Sequence, residues 1–415
     1  MGPGLVTGAS DDDPSGVATY SQAGAQFGLG LLWVAFLTLP LMAGVQEICD
    51  RTALATGRGL GELAAGKFKG KARPILVILI GALIVANTLN IAADLVAVGS
   101  GMHLLQAGPT WLWALIAGVA ITALVIFGSF AHIAAVFKAI CLALLTYVVV
   151  MFSVRVNWHQ VAIHTLVPHI QWRNDYLALL VAVLGTTISP YLFFWQSAHR
   201  LEDLRDEPEG GDRVVRLKQR THAAAKLKSR TSRADVFSGM AFSNAVMFAI
   251  IVATATTLHG KKIGSAADAA AALKPVAGHW SSLLFALGFI GTGMLAVPVL
   301  AGSGAAGMAG LLGKRSGFSR SVRKAPVFYA LVAFGTVGGT ALSLASTNPI
   351  KLLVVVAVIN GVAAAPFLVL VMLIARDKTI MGVYRNGKLA TAVGWTAVAL
   401  MTAASLDMAA QFARL

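Results

Sequence analysis

The chain has 415 residues, of which 57% are apolar and only 12% charged, and its mean hydropathy is +0.75. A soluble protein of this size carries roughly a quarter charged residues, so a set of water-facing domains is excluded and a polytopic membrane protein is indicated. The formal charge of +15 does not point to nucleic acid, because the basic residues lie in loops between apolar runs, where they set orientation.

Runs long enough to cross ~30 Å of hydrocarbon number eleven. Their expected limits are 2–22, 28–48, 74–100, 110–128, 131–154, 176–198, 235–258, 280–302, 325–345, 349–376 and 389–411, the first and sixth being interrupted. All are expected to be helical, because open sheet edges cannot face lipid. The first run begins at Gly2 and passes directly into acidic residues, which is not the pattern of a separate cleavable signal. Cys49 and Cys141 are too far apart to suggest a disulfide framework or a metal-thiolate motif.

Loop charge predicts the topology. Of the 33 Lys and Arg residues, 26 fall in 51–73, at Lys138, and in 200–233, 314–324 and 376–388, against seven on the other side. That asymmetry predicts a cytoplasmic N-terminus and an external C-terminus. The one long hydrophilic stretch, 199–233, reads as a solvated, partly helical cytoplasmic loop. The expected organisation is a first repeat with the broken sixth segment (1–198), this basic loop (199–233), the rest of a second repeat (234–376) and an additional C-terminal helix (377–415).

Few acidic residues fall at membrane depth. Asp11, Asp12 and Asp13 stand together in GLVTGASDDDPSGVATYSQAG and Asp94 in NTLNIAADLVAVG, whereas Glu47 and Asp407 lie nearer helix ends. A carboxylate in hydrocarbon costs ~2.5–3.5 kcal/mol on insertion scales, so an intramembrane acid points to function. Pro14 removes a backbone donor and Gly16 permits unusual dihedrals, which predicts an unwound segment lining a cavity. The sixth segment repeats the device in VAVLGTTISPYLFFWQSAH, where Gly185 and Pro190 bracket Thr186, Thr187, Ile188 and Ser189. Interrupted segments opening two similar halves mark the substrate site of an inverted-repeat transporter. Carboxylate, hydroxyl and carbonyl oxygens together suit a hard divalent cation. On the third segment Asn87, Asn90 and Asp94, at i, i+3 and i+7, share one helical face and read either as pathway lining or as interhelical packing. Asn360 of the tenth segment carries the same two readings.

These residues resemble a known family. GPGL…DPSG is similar to the GPGL…DPGN of the Nramp divalent-metal transporters, GTTISPYLFFWQSA to their GATVMPHNLYLHSA, and DRTALATGRGLGELA to their RLGVVTGKDLAE. The resemblance runs through all eleven segments. It implies an all-α LeuT-type 5+5 inverted repeat with helices 1 and 6 broken and an eleventh helix outside the repeat, and it makes Asp13 the metal-binding aspartate. Several positions depart from the family pattern. Gly16 stands where the family has a ligand asparagine, Ser189 where it has a methionine, and Tyr191 where it has a histidine associated with proton movement. Ala97 stands where it has a glutamate of the proton pathway, and Asp11 and Asp12 are additional carboxylates. This pattern resembles the Nramp-related magnesium transporters of prokaryotes. Losing sulfur and gaining oxygen shifts preference toward Mg²⁺ or Mn²⁺, and a roomier pocket suits a partly hydrated Mg²⁺.

The expectation is a carrier of divalent metal ions working by alternating access in a bacterial inner membrane, without obligatory proton coupling. It is expected to be neither an enzyme nor a nucleic-acid binder, and to need no cofactor or obligate protein partner. Its expected metal-site residues are Asp13, Asp12, Asp11, Gly16, Thr186 and Ser189, with Asn87, Asn90, Asp94, Tyr191 and Asn360 along the pathway. Three alternatives compete. One is a proton-coupled Mn²⁺/Fe²⁺ symporter of the Nramp type. Another is a Na⁺-coupled organic-solute symporter, whose substrate carboxylate the aspartates would repel. The third is an intramembrane prenyltransferase, which needs a second acidic cluster that the lone Asp94 does not supply.

Overall fold

The computed structural model describes residues 2–70, 72–127, 142–208, 210, 214–345 and 349–412. Helices are α1 (Pro3–Asp11), α2 (Pro14–Phe27), α3 (Leu32–Thr56), α4 (Leu60–Lys67), α5 (Ala72–Leu104), α6 (Thr110–Phe127), α7 (Thr146–Ser153) and α8 (Trp158–Leu166). They continue with α9 (Asn174–Thr187), α10 (Pro190–Arg205), α11 (His222–Thr257), α12 (Ser281–Leu311), α13 (Pro326–Ser343), α14 (Pro349–Ala375) and α15 (Lys388–Phe412). There is no strand among the described residues. The described residues form an all-α fold with the first and sixth segments broken, as the resemblance to a LeuT-type inverted repeat implies.

Nine helices among the described residues are long and apolar enough to cross a membrane, with α9 and α10 counted as one interrupted span. The fifth segment is described only from residue 142; there the pair 142–153 and 158–166 bends by 118°. Residues 131–141, including Cys141, lie outside the described residues. The first segment is two helices of 9 and 14 residues, each too short to span by itself.

Both breaks follow from proline. A residue before proline is pushed out of the α region, and proline itself suits the first helical turn. Accordingly Asp13 (φ −62, ψ 168) and Ser189 (φ −78, ψ 133) are extended, each followed by a helix opening on Pro14 or Pro190. Asp12 (φ −84, ψ 43) and Ile188 (φ −112, ψ 55) end the preceding helices in matching conformations. The two breaks are therefore one backbone solution used twice.

The glycines act differently from the sequence expectation. Gly16 and Gly185 lie inside helices and neither has a positive φ. Their value is space: a Cβ on Gly16 would sit 3.1 Å from Thr186 Oγ1 and 3.2 Å from the Tyr20 ring, and one on Gly185 would meet the Ala357 carbonyl and Gly361 of α14. Close approach through small residues is how helices associate where lipid removes the hydrophobic drive. The same device fixes α1 on α11, where a Cβ on Gly239 would fall on the Gly4 carbonyl and one on Gly8 on the Gly239 carbonyl.

The basic stretch is not simply a solvated loop. α10 continues to Arg205 and α11 begins at His222, so much of 199–233 is helical. Leu201, Leu204, Leu217 and Ala225 pack with Ala53, Leu54, Ala55 and Met381 in a small apolar cluster of their own. Apolar residues spaced through the charged sequence produce this packing.

Gly239→Leu should force α1 and α11 apart at a cost of about 1–3 kcal/mol, the usual range for overpacking. The check is the thermal unfolding midpoint in one detergent. Gly81→Leu, where an added Cβ meets nothing within 4 Å, should leave that midpoint unchanged.

Candidate functional site

The site is the region where the two breaks meet, and all its acidic side chains are buried. Asp13 caps α2: its Oδ1 accepts from Gly16 N at 2.9 Å and from Ser15 Oγ at 2.5 Å. The Tyr191 hydroxyl, in the first turn of α10, reaches across to Asp13 Oδ2 at 3.3 Å and to the Ser10 carbonyl at 3.2 Å. One phenol thus joins the second break to the first. Thr186 Oγ1 faces Gly16 from the other side of the gap and has no hydrogen-bond partner.

Asp11 and Asp12 turn toward α11. Ser243 Oγ donates to Asp11 Oδ2 at 2.6 Å and lies 3.2 Å from Asp12 Oδ1, leaving Asp11 Oδ1 and Asp12 Oδ2 without partners. Asp13 is the best satisfied of the three. Among the described residues no group of three or more His, Cys, Asp or Glu side chains gathers into a preformed ion cage. Ser189 keeps its hydroxyl on its own helix, donating to Gly185 O at 2.6 Å and Thr186 O at 3.0 Å.

The third-segment face divides. Asn87 Nδ2 donates to Leu300 O at 2.8 Å and to Ser303 Oγ at 3.0 Å, an interhelical role between α5 and α12. Asn90 and Asp94 are fully buried with no side-chain partner. The Asp94 backbone lies close to the first break: a Cβ on Gly293 would lie 3.1 Å from the Asp94 carbonyl and 3.4 Å from Pro14 Cγ. Asn360, beside the Gly185–Gly361 crossing, is likewise buried with both amide atoms unpartnered.

Comparison with known proteins identifies the family. The family model for natural resistance-associated macrophage protein-like (Nramp) sequences covers residues 4–411. The chain belongs to the Nramp family. Among relatives, it is 27% identical over 402 residues to the divalent metal cation transporter MntH of Verminephrobacter eiseniae, covering 93% of this chain and 83% of that one. The MntH of Deinococcus radiodurans is 26% identical, with 97% and 87% covered. In structure the chain is similar to the Eremococcus coleocola manganese transporter solved with an aromatic bis-isothiourea compound, at a TM-score of 0.74 and 17% identity, over 98% of this chain and 85% of that one.

Sequence reasoning missed two features of this Nramp chain. Ser243 was hidden in an apolar run, where a lone serine between Phe242 and Asn244 carries little signal. The larger omission is a buried ionic hub near the start of α1. Arg200, on α10, meets Asp50 of α3 at 2.6 Å, Asp203 at 2.9 Å and Asp235 of α11 at 3.1 Å. Gln196 and Ser232 also donate to Asp50, Thr7 donates to Gln196, and Gly4 N donates to Asp235 at 2.7 Å. The signal was an acid four residues beyond Gln46 on an apolar helix, but Arg200 lay in a stretch read as solvated.

Removing one member of a buried pair strands its partner's charge and typically costs about 3–5 kcal/mol. Arg200→Met should therefore lower the thermal midpoint sharply, and the double variant Asp50→Asn/Arg200→Met should recover most of the loss. A double variant no more stable than Arg200→Met would assign the effect to packing rather than stranded charge.

Proposed function

We propose that this Nramp-family chain carries divalent metal cations across the membrane by alternating access, with Mg²⁺ and Mn²⁺ as its preferred substrates. The observation that carries the proposal is the pair of facing helix breaks, with buried Asp11, Asp12 and Asp13 at one and Tyr191 and Thr186 at the other. The relatives named as divalent metal cation transporters and the manganese transporter of similar structure support the substrate class. The same relatives are named as transporters, which supports a carrier over an intramembrane prenyltransferase.

Asp13 is the principal ligand, and metal capture there displaces its bonds from Tyr191 or Ser15. Asp12 and Asp11 assist through their open oxygens, directly or through water. Thr186 supplies a further oxygen, Ser189 a hydroxyl, and Gly16 the room a partly hydrated ion needs. Asn90, Asp94 and Asn360 line the pathway. An oxygen-only donor set favours hard ions over Cd²⁺. The orientation that fits the loop charges places the N-terminus in the cytoplasm of a bacterial cell, the C-terminus outside, and the basic face inward.

Asp13→Ala should abolish uptake into proteoliposomes while the protein still purifies folded. In a competition series of Mg²⁺, Mn²⁺, Ca²⁺ and Cd²⁺, Ser189→Met should raise Cd²⁺ affinity relative to Mg²⁺. Full transport by Asp13→Ala, or a wild type that already prefers Cd²⁺ strongly, would overturn these assignments.

Transport on this reading is not obligatorily coupled to protons. A relay needs titratable groups within reach of one another. Tyr191 carries a phenol, whose ordinary pKa is ~10, and Ala97 carries no titratable group, so the chain lacks the family's histidine and glutamate on either side of Asp94. The membrane potential then drives entry, at ~2.3 kcal/mol per charge per 100 mV. A pH-sensitive dye inside proteoliposomes under a clamped potential should show no acidification in step with metal entry. Acidification absent from protein-free vesicles would favour the proton-coupled alternative.

A further inference from the structure

The basic face carries a second concave feature, which the transport reading does not use. A cavity of about 310 Å³ lies between the α3–α4 link, the end of α10 and the residues that follow α12. Arg205, Lys314, Arg315 and Arg320 line it; Glu62 is the one carboxylate among the lining residues, and Glu202 stands behind Gly317 beside Arg205. Glu62 is already paired with Arg58 at 3.2 Å. Orientation signals need only scattered, solvated cations; here four converge on one hollow.

The walls are built for close approach. Gly61 packs against the Gly307 backbone, and a Cβ on Gly310 would lie 2.8 Å from Glu62 N. Gly317 has φ +121, a conformation that favours glycine, and a Cβ there would come within 2.7 Å of Glu202 Oε1 and 2.8 Å of Arg205 Nη1. Arg205 is held in this wall by its bond to Ser316 O at 3.3 Å. α4 starts at the cavity rim on Gly59, where Leu60 N donates to Ser197 Oγ at 3.4 Å and Glu62 already offsets the helix dipole, so the positive character of the hollow comes from the basic side chains.

We infer that this cavity binds the phosphate group of an anionic ligand, either a lipid headgroup at the membrane surface or a soluble phosphate. Arginine forks and lysine ammonium groups in a concave, glycine-walled site are the donors that phosphate oxygens accept from. A metal cation is disfavoured there by the same charge. A bound phosphate would bridge the end of α10 to the segment leading into α13, and so would stabilise their present packing.

The test uses the full chain in metal-free buffer, so its outcome is independent of the transport reading. Thermal midpoints are measured in neutral detergent with inorganic phosphate against chloride at equal ionic strength. A second arm uses nanodiscs of phosphatidylglycerol against phosphatidylcholine. The double variant Lys314→Gln/Arg315→Gln alters two side chains that are exposed, and Arg385→Gln, exposed on the same face outside the cavity, controls for general surface charge. Wild type and Arg385→Gln should be stabilised in at least one arm, and the double variant should bind at least about tenfold more weakly, as expected for lost charge-assisted bonds. A response confined to phosphatidylglycerol assigns a lipid headgroup, and a response to inorganic phosphate assigns a soluble ligand. No stabilisation in either arm, an equal response from the double variant, or an equal loss in Arg385→Gln would overturn the inference.

Discussion

A peptide group in hydrocarbon must find its partner inside the protein, and this constraint governs both helix breaks. Unwinding at Asp12–Asp13 and at Ile188–Ser189 frees backbone groups that no lipid can satisfy. Each break is repaired partly from within: Asp13 accepts from Gly16 N, and Ser189 returns its hydroxyl to Gly185 and Thr186 carbonyls. Tyr191, bonding to the Ser10 carbonyl, repairs one break from the other. The two can be unwound because they face each other.

That arrangement needs neighbours that come unusually close. α11 reaches α1 through Gly4, Gly8 and Gly239, and α14 reaches α9 through Gly185 and Gly361. A side chain at these crossings would push the covering helices outward and open the unwound backbone to lipid. The glycine content of the chain is thus tied to the breaks: close packing keeps lipid from the polar interior that the breaks require.

The sequence made the helices and breaks legible because their signals are local. Apolar run length, proline at 14 and 190 and three adjacent aspartates each report through neighbouring residues. Roles set by distant partners were less legible. Asn87, Asn90 and Asp94 share a periodicity, yet Asn87 bonds to α12 while the other two do not, a difference that depends on where Leu300 and Ser303 sit. Gly16 looked like a dihedral requirement and proved to be a spatial one, because the atom it makes room for belongs to Thr186, 170 residues later. The Asp50–Arg200 pair spans 150 residues and leaves no local pattern.

The hub and the breaks solve one problem in opposite ways. Burying a polar atom without a partner costs about 1–3 kcal/mol, and more for a charge. At the hub the chain supplies every partner: Asp50 accepts from Arg200, Gln196 and Ser232, and the Arg200 guanidinium divides its donors among three carboxylates. Such a cluster is self-sufficient and holds α1, α3, α10 and α11 in one arrangement. At the breaks, Asp11 and Asp12 each keep an open oxygen, Thr186 an open hydroxyl, and Asn90, Asp94 and Asn360 entirely open side chains. Packing alone would have favoured apolar residues at all six positions. Polar atoms kept there at that cost are a burden that packing does not explain, and an intramembrane polar cluster of this kind supports the transport role proposed for the breaks.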